Sequence, residues 1–135
     1  MDLQHFLSLI GITSIVSTIV AFIFDHIKTR LNLKYKKLFS EKENRYRSML
    51  VFMSVVIDEN NYIHIDTAYK PQDIDIKEYY MKEVILHRNF FYLFASEAVI
   101  KAIDEFISNP TNAEFKKVAQ TMRNDLWTNK NKRLF

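Results

Sequence analysis

The chain has no cysteine, one glycine and two prolines in 135 residues. Without cysteine there are no disulfides, thiolate metal sites or thiol nucleophile, and the compartment is left open. A β-sandwich or a doubly wound sheet needs turn residues about every ten positions, so the scarcity of Gly and Pro points to long helices. The one glycine, Gly11, lies in the most apolar stretch of the chain. No loop can therefore cradle a phosphate through glycine amides. Neither a G-x-S-x-G elbow nor an H-E-x-x-H zinc motif occurs. A length of 135 residues suits one membrane segment of about 25 residues and one modest core of about 110.

Charge is unevenly spread. Residues 28–47 carry eight Lys or Arg against Glu41 and Glu43, a balance of +6. Residues 48–128 hold eight bases against twelve acids, and the tail adds Lys130, Lys132 and Arg133. The net +3 thus combines a basic collar, an acidic body and a basic end.

Ahead of the collar, His5 to Phe24 contains no Lys, Arg, Asp or Glu over twenty residues. At about 1.5 Å per residue this matches the roughly 30 Å hydrocarbon core of a bilayer. A cleaved signal peptide does not fit, because no base precedes the run and no small-residue cleavage site follows it. The expectation is an uncleaved transmembrane anchor over residues 1–26. Bases Lys28, Arg30, Lys34, Lys36 and Lys37 follow the span directly, while only Asp2 and the amino terminus precede it. The positive-inside rule then puts the N-terminus outside the cell membrane and the rest in the cytoplasm. The same five bases suit anionic lipid headgroups.

Gly11, Ser14, Thr18, Ala21 and Asp25 recur at steps of 3 and 4 and share one stripe of a helix. Small and hydroxyl residues at that spacing let spans approach closely and self-associate, or line a wetted pore. The alternative is that each hydroxyl is satisfied by its own helix and that Asp25 is an interfacial acid beside Lys28 or Thr29.

Residues 27–128 are expected to form a cytoplasmic helical domain, and 129–135 a basic tail. A stalk helix should run from Asp25 to about Asp58, buried all round over Ser48–Ile57. Residues 62–72 read as a loop with a short extended piece at Tyr62–Ile65. A second helix is expected over about 73–94, with Ile76, Tyr79, Tyr80, Val84, Leu86, His87, Phe90, Phe91 and Phe94 in contact. A third, capped by Ser96, should span 97–108, with Val99, Ile100, Ile103, Phe106 and Ile107 inward. The capping-box spacing of Thr111 and Glu114 opens a fourth, to about Trp127, with Phe115, Val118, Ala119, Met122 and Leu126 inward. The fold class is all-α: one transmembrane helix continuing into a three- to four-helix bundle with antiparallel neighbours.

Candidate chemistry is thin. His64-Ile65-Asp66 offers two metal ligands without a third at a matching spacing. His87-Arg88 offers a base and an anion clamp, although a helix histidine is more often structural. None of the four histidines has an Arg five to seven residues before it, which excludes the Arg–His pattern of small helical RNases. No cofactor, metal or catalytic residue is expected. Arg47 and Arg123 beside Asp125 are candidates for a structural ion pair.

Three segments carry a resemblance: Tyr46–Met53, Leu93–Ala102 and Met122–Trp127. They resemble a family of small uncharacterised prokaryotic single-pass membrane proteins with a helical cytoplasmic domain. That pattern closes on a Met-Arg-Lys-Asp-Leu-type motif; here Asn124 stands in place of the Lys. In outline the chain is also similar to CRISPR-associated membrane proteins that assemble into pores, which is an architectural likeness. The family resemblance implies no activity; the Gly11–Asp25 stripe and the architectural likeness together lead to the expectation of a non-enzymatic homo-oligomer that forms a pore or perturbs the membrane in prokaryotic antiviral defence. The alternatives are a monomeric anchor that recruits a cytoplasmic protein and, third, a membrane-tethered nucleic-acid binder using residues 28–47 and the tail.

Overall fold

A computed structural model describes the backbone of residues 3–65 and 74–131, and the side chains of these except residues 3, 5–13, 64 and 129–131. It is all-α: α1 (Leu3–Ile57), a short 3-10 helix (Glu59–His64), α2 (Ile76–Phe91), α3 (Glu97–Ser108) and α4 (Asn112–Asn131). Contacts divide the chain into two units, Met1–Phe39 and Ser40–Phe135.

In the first unit the α1 side chains from Ser14 to Leu38 are exposed. Ile15, Val16, Ile19, Val20, Phe22, Ile23 and Phe24 are all exposed, between 46% and 73%. Among the described residues no helix is long and apolar enough to cross a membrane. The expected span therefore has no support from these residues. Its first part, including Gly11, has side chains outside them.

The second unit holds the core. Tyr46, Met49, Met53 and Val56 repeat at helical spacing along α1 and are buried, on the side where α2 and α4 meet it. The expectation that Ser48–Ile57 is buried all round is corrected: Ser48 and Val51 are exposed, since the other helices cover only one side. Asp58 turns the chain out of α1 in an extended conformation and accepts from the Asn60 amide. The extended piece expected at Tyr62–Ile65 is instead largely the 3-10 helix. Asp75 caps α2 by accepting from the amides of Lys77 and Glu78, which satisfies two of the four donors a helix start leaves open.

Aromatic contacts set the direction of α2 against α1. Phe52 meets Tyr80 at 5.8 Å and His87 at 5.0 Å, while the earlier Tyr46 meets the later Phe91 at 5.4 Å and Phe94 at 6.0 Å. The pair is antiparallel. In α2, Tyr80, Val84 and Phe91 are buried, but Leu86 and Phe90 are 50% and 48% exposed, contrary to expectation. α3 supplies Val99, Ile100, Ala102, Ile103 and Phe106 to the core, and α4 supplies Val118 and Met122. Ser96 precedes α3 without making a side-chain cap. Thr111 accepts from the Glu114 amide at 3.3 Å, so the direct half of the expected capping box forms. Glu114 Oε2 is buried with no hydrogen-bond partner, and the Lys117 ammonium lies 3.9 Å from it.

Candidate functional site

Among the described residues the most buried ion pair, Lys42–Asp125, belongs to a three-residue cluster joining α1 to α4. Lys42 Nζ and Tyr46 Oη both lie 2.5 Å from Asp125 Oδ2. The Lys42 and Asp125 side chains are 14% and 8% exposed. One turn of α1 separates Lys42 from Tyr46, so both reach the same carboxylate from one face. The Lys42 ammonium also sits 5.5 Å from the Tyr46 ring, and Arg45 lies 5.6 Å from the Phe94 ring. Phe91 and Phe94 pack the far side of Tyr46.

Burial pushes the Tyr46 phenol far above its ordinary value, and its hydrogen bond to the Asp125 carboxylate pushes it further. The phenol is thus a committed donor. The carboxylate is neutralised by Lys42, as a charge at this depth requires. The cluster is built to hold α4 against α1.

Asp125 pairs with Lys42, a base outside the expected set. Arg47 does meet a carboxylate, that of Glu43, one turn earlier on an exposed face, at 2.6 Å, and Arg123 is exposed. The signal for the true partner was Lys42 itself, a lysine standing on the apolar stripe between Leu38 and Tyr46. A base in a core register asks for a buried acid.

Two further ion pairs brace the helices. Arg88 of α2 grips Asp104 of α3 with two bonds, Nε to Oδ1 at 2.7 Å and Nη2 to Oδ2 at 2.6 Å, and lies 4.9 Å from the Tyr92 ring. That hydrogen bond raises the guanidinium further above its ordinary value. Because Asp104 occupies it, Arg88 is no anion clamp. His87 Nδ1 approaches its own helix at the Glu83 carbonyl, 2.9 Å away. Lys117 of α4 pairs with Glu105 of α3, which lowers the Glu105 carboxyl and raises the Lys117 ammonium.

Among the described residues no three His, Asp or Glu converge on a metal position; Asp66 lies outside them. The main depressions are shallow and open to solvent. One, of about 380 Å³, is lined by Lys101, Asp104, Glu105, Ser108, Asn109 and Glu114. The other, of about 450 Å³, runs from Tyr92 to Asp104 across Ile100. Neither resembles a mostly enclosed ligand cavity.

In the first unit, Ser14, Thr18, Ala21 and Asp25 are exposed along α1, and Lys28, Arg30, Lys34, Lys36 and Lys37 are exposed beyond them. The hydroxyls of Ser17 and Thr18 both donate to the Ser14 carbonyl at 2.9 Å. Both can therefore sit in hydrocarbon without help from a second helix. The described part of the tail ends at Asn131, so Lys132 and Arg133 lie outside it. Comparison of the chain with family models, curated proteins and solved structures finds no match.

Proposed function

We propose that this protein is a single-pass membrane protein without enzymatic activity, anchored by residues 5–24 and working by self-association. Its N-terminus faces outward, and its helical body is cytoplasmic. One observation carries the reading: the bulky apolar side chains between Ile15 and Phe24 are all exposed. At 100° per residue they cover about 200° of the helix surface. Placing half of each side chain out of water is worth on the order of 5–10 kcal/mol in total. That rivals the whole stability of a typical domain, so water is the wrong surrounding for this helix.

The remaining arc carries Ser14, Thr18, Ala21 and Asp25. Small side chains there allow a second helix to approach closely, which supports association along this face. In a ring of copies the same face would line a pore, with Asp25 forming a belt of carboxylates at its inner mouth. Lys28 and Arg30 would meet anionic headgroups.

A sizing experiment in detergent, combined with cross-linking, tests this. An oligomer should form and dissociate on Gly11→Leu or Ser14→Leu. A strict monomer unaffected by either change would refute self-association. A second reading, recruitment of a cytoplasmic protein, is favoured by Leu86, Phe90 and Leu93. These are spaced i, i+4, i+7 and exposed at 50%, 48% and 82%.

A further inference from the structure

The stretch of α1 just past the proposed span carries a second, separate face. Ile27, Leu31 and Leu38 are 50%, 47% and 49% exposed, and with Tyr35 between them they step by 4, 4 and 3. Continued, the same steps lead through Lys42 to Tyr46 and Met49, where the stripe is core. From His26 to Ser40 there are five bases and no acid. At 100° per residue, Lys28 flanks the stripe on one side and Arg30 and Lys34 on the other. The stripe lies about 120° round the helix from the Gly11–Asp25 face. Spans that pair through that face leave this one open.

We propose that the Ile27–Leu38 face is the docking site for an acidic amphipathic helix of a partner protein, one with apolar residues at helical spacing and Asp or Glu on both flanks. The inference rests on the membrane placement proposed above. Charge selects the occupant. A second copy in parallel on this face would set Lys28, Arg30 and Lys34 against their own counterparts at its flanks, the like-charge arrangement that coiled coils use to reject a partner. Lipid headgroups reach too little of the face. The headgroup layer is about 5–8 Å deep on each side, whereas Leu38 lies thirteen residues, about 20 Å, beyond Asp25 along the helix. Headgroups cover Lys28 and Arg30 but leave Leu31 to Leu38 above them. An acidic helix satisfies both the apolar stripe and its basic flanks, as in other helix-on-helix recognition.

The test uses the full-length chain in nanodiscs of neutral phosphatidylcholine and two labelled helical peptides. Both peptides carry Leu at the contact positions; one has Glu on the flanks and the other Lys. By fluorescence anisotropy the Glu-flanked peptide should bind and the Lys-flanked one should not. Binding should weaken at least tenfold between 50 and 500 mM salt, about 14 to 4 Å in screening length. Leu31→Gln with Leu38→Gln should weaken it at least tenfold, and Lys28→Glu with Lys34→Glu should reverse the preference. No binding, or equal binding of the two peptides, overturns the proposal. So does displacement of the peptide by phosphatidylserine in the disc, which would give the face to the lipid surface. A shift from two copies per disc to one on Leu31→Gln with Leu38→Gln also overturns it, by giving the face to self-association. A dye at Val16→Cys, quenched by brominated acyl chains, reports the span separately. An unquenched dye rejects the membrane reading, while a quenched dye without peptide binding rejects only the docking site.

Discussion

Removal of the Asp125 carboxylate should be the most damaging single polar change in the body. In Asp125→Ala the Lys42 ammonium, 14% exposed, loses its counter-charge, and the Tyr46 hydroxyl loses its acceptor. Breaking a buried pair from one side typically costs about 3–5 kcal/mol, and an orphaned buried hydroxyl about 1–3 kcal/mol. Lys42 can recover part of this by extending its flexible stem to water. A net loss of about 3–4 kcal/mol is expected, equivalent to roughly 12–25 °C in Tm for a body of this size. The full chain in detergent, unfolded with urea, gives the measurement. Trp127, two residues past Asp125 and the only tryptophan in the chain, reports α4 by its emission, and circular dichroism reports the helices together. Combining Lys42→Met, Tyr46→Phe and Asp125→Leu should return stability to within about 1 kcal/mol of the parent, because packed apolar groups replace two desolvated charges and no buried hydroxyl is left without an acceptor. A loss below 1 kcal/mol in Asp125→Ala, or additive effects in the combined variant, would refute the assignment of this cluster as the clasp between α1 and α4.

Other consequences can be checked alongside. Tyr46 is raised above the ordinary phenol value, so its share of stability is complete below about pH 10 and lost as pH climbs toward the folded value; Tyr46→Phe should flatten the alkaline limb of a stability profile relative to the parent. Arg88→Lys should fail to restore what Arg88→Ala loses, about 1 kcal/mol for a pair whose carboxylate is 44% exposed, because an ammonium cannot make both bonds at once. Ile103→Ala, at a fully buried site, should cost about 2–5 kcal/mol in the same urea assay.

The helices were legible from the sequence wherever a punctuating residue coincided with a change of pattern. Asn109-Pro110 and Thr111 bracket the α3–α4 junction, and α3 falls on Glu97–Ser108 as the spacing of Val99, Ile103 and Phe106 requires. Sides were harder to read than extents. Leu86 and Phe90 share the composition of core residues yet are half exposed, because periodicity identifies a stripe without saying whether another helix reaches it. The Lys42–Asp125 pair was hidden for the opposite reason. It joins residues 83 positions apart, and local pattern carries nothing about such a distance except the oddity of a lysine on an apolar face. Polarity places a boundary near residue 26, whereas packing divides the chain at Phe39 and Ser40; the two signals mark different things, the end of the apolar run and the start of the bundle.

The proposed crossing of a membrane by residues 5–24, with the body inside, can be tested directly. Because the chain has no cysteine, single cysteines introduced at Asp2, Val16 and Asn129 can be labelled without background in intact cells by a membrane-impermeant maleimide. Asp2→Cys should label in intact cells, Asn129→Cys only after permeabilisation, and Val16→Cys only once detergent has dissolved the bilayer. Labelling of Val16→Cys before detergent, or of Asn129→Cys in intact cells, would contradict the account.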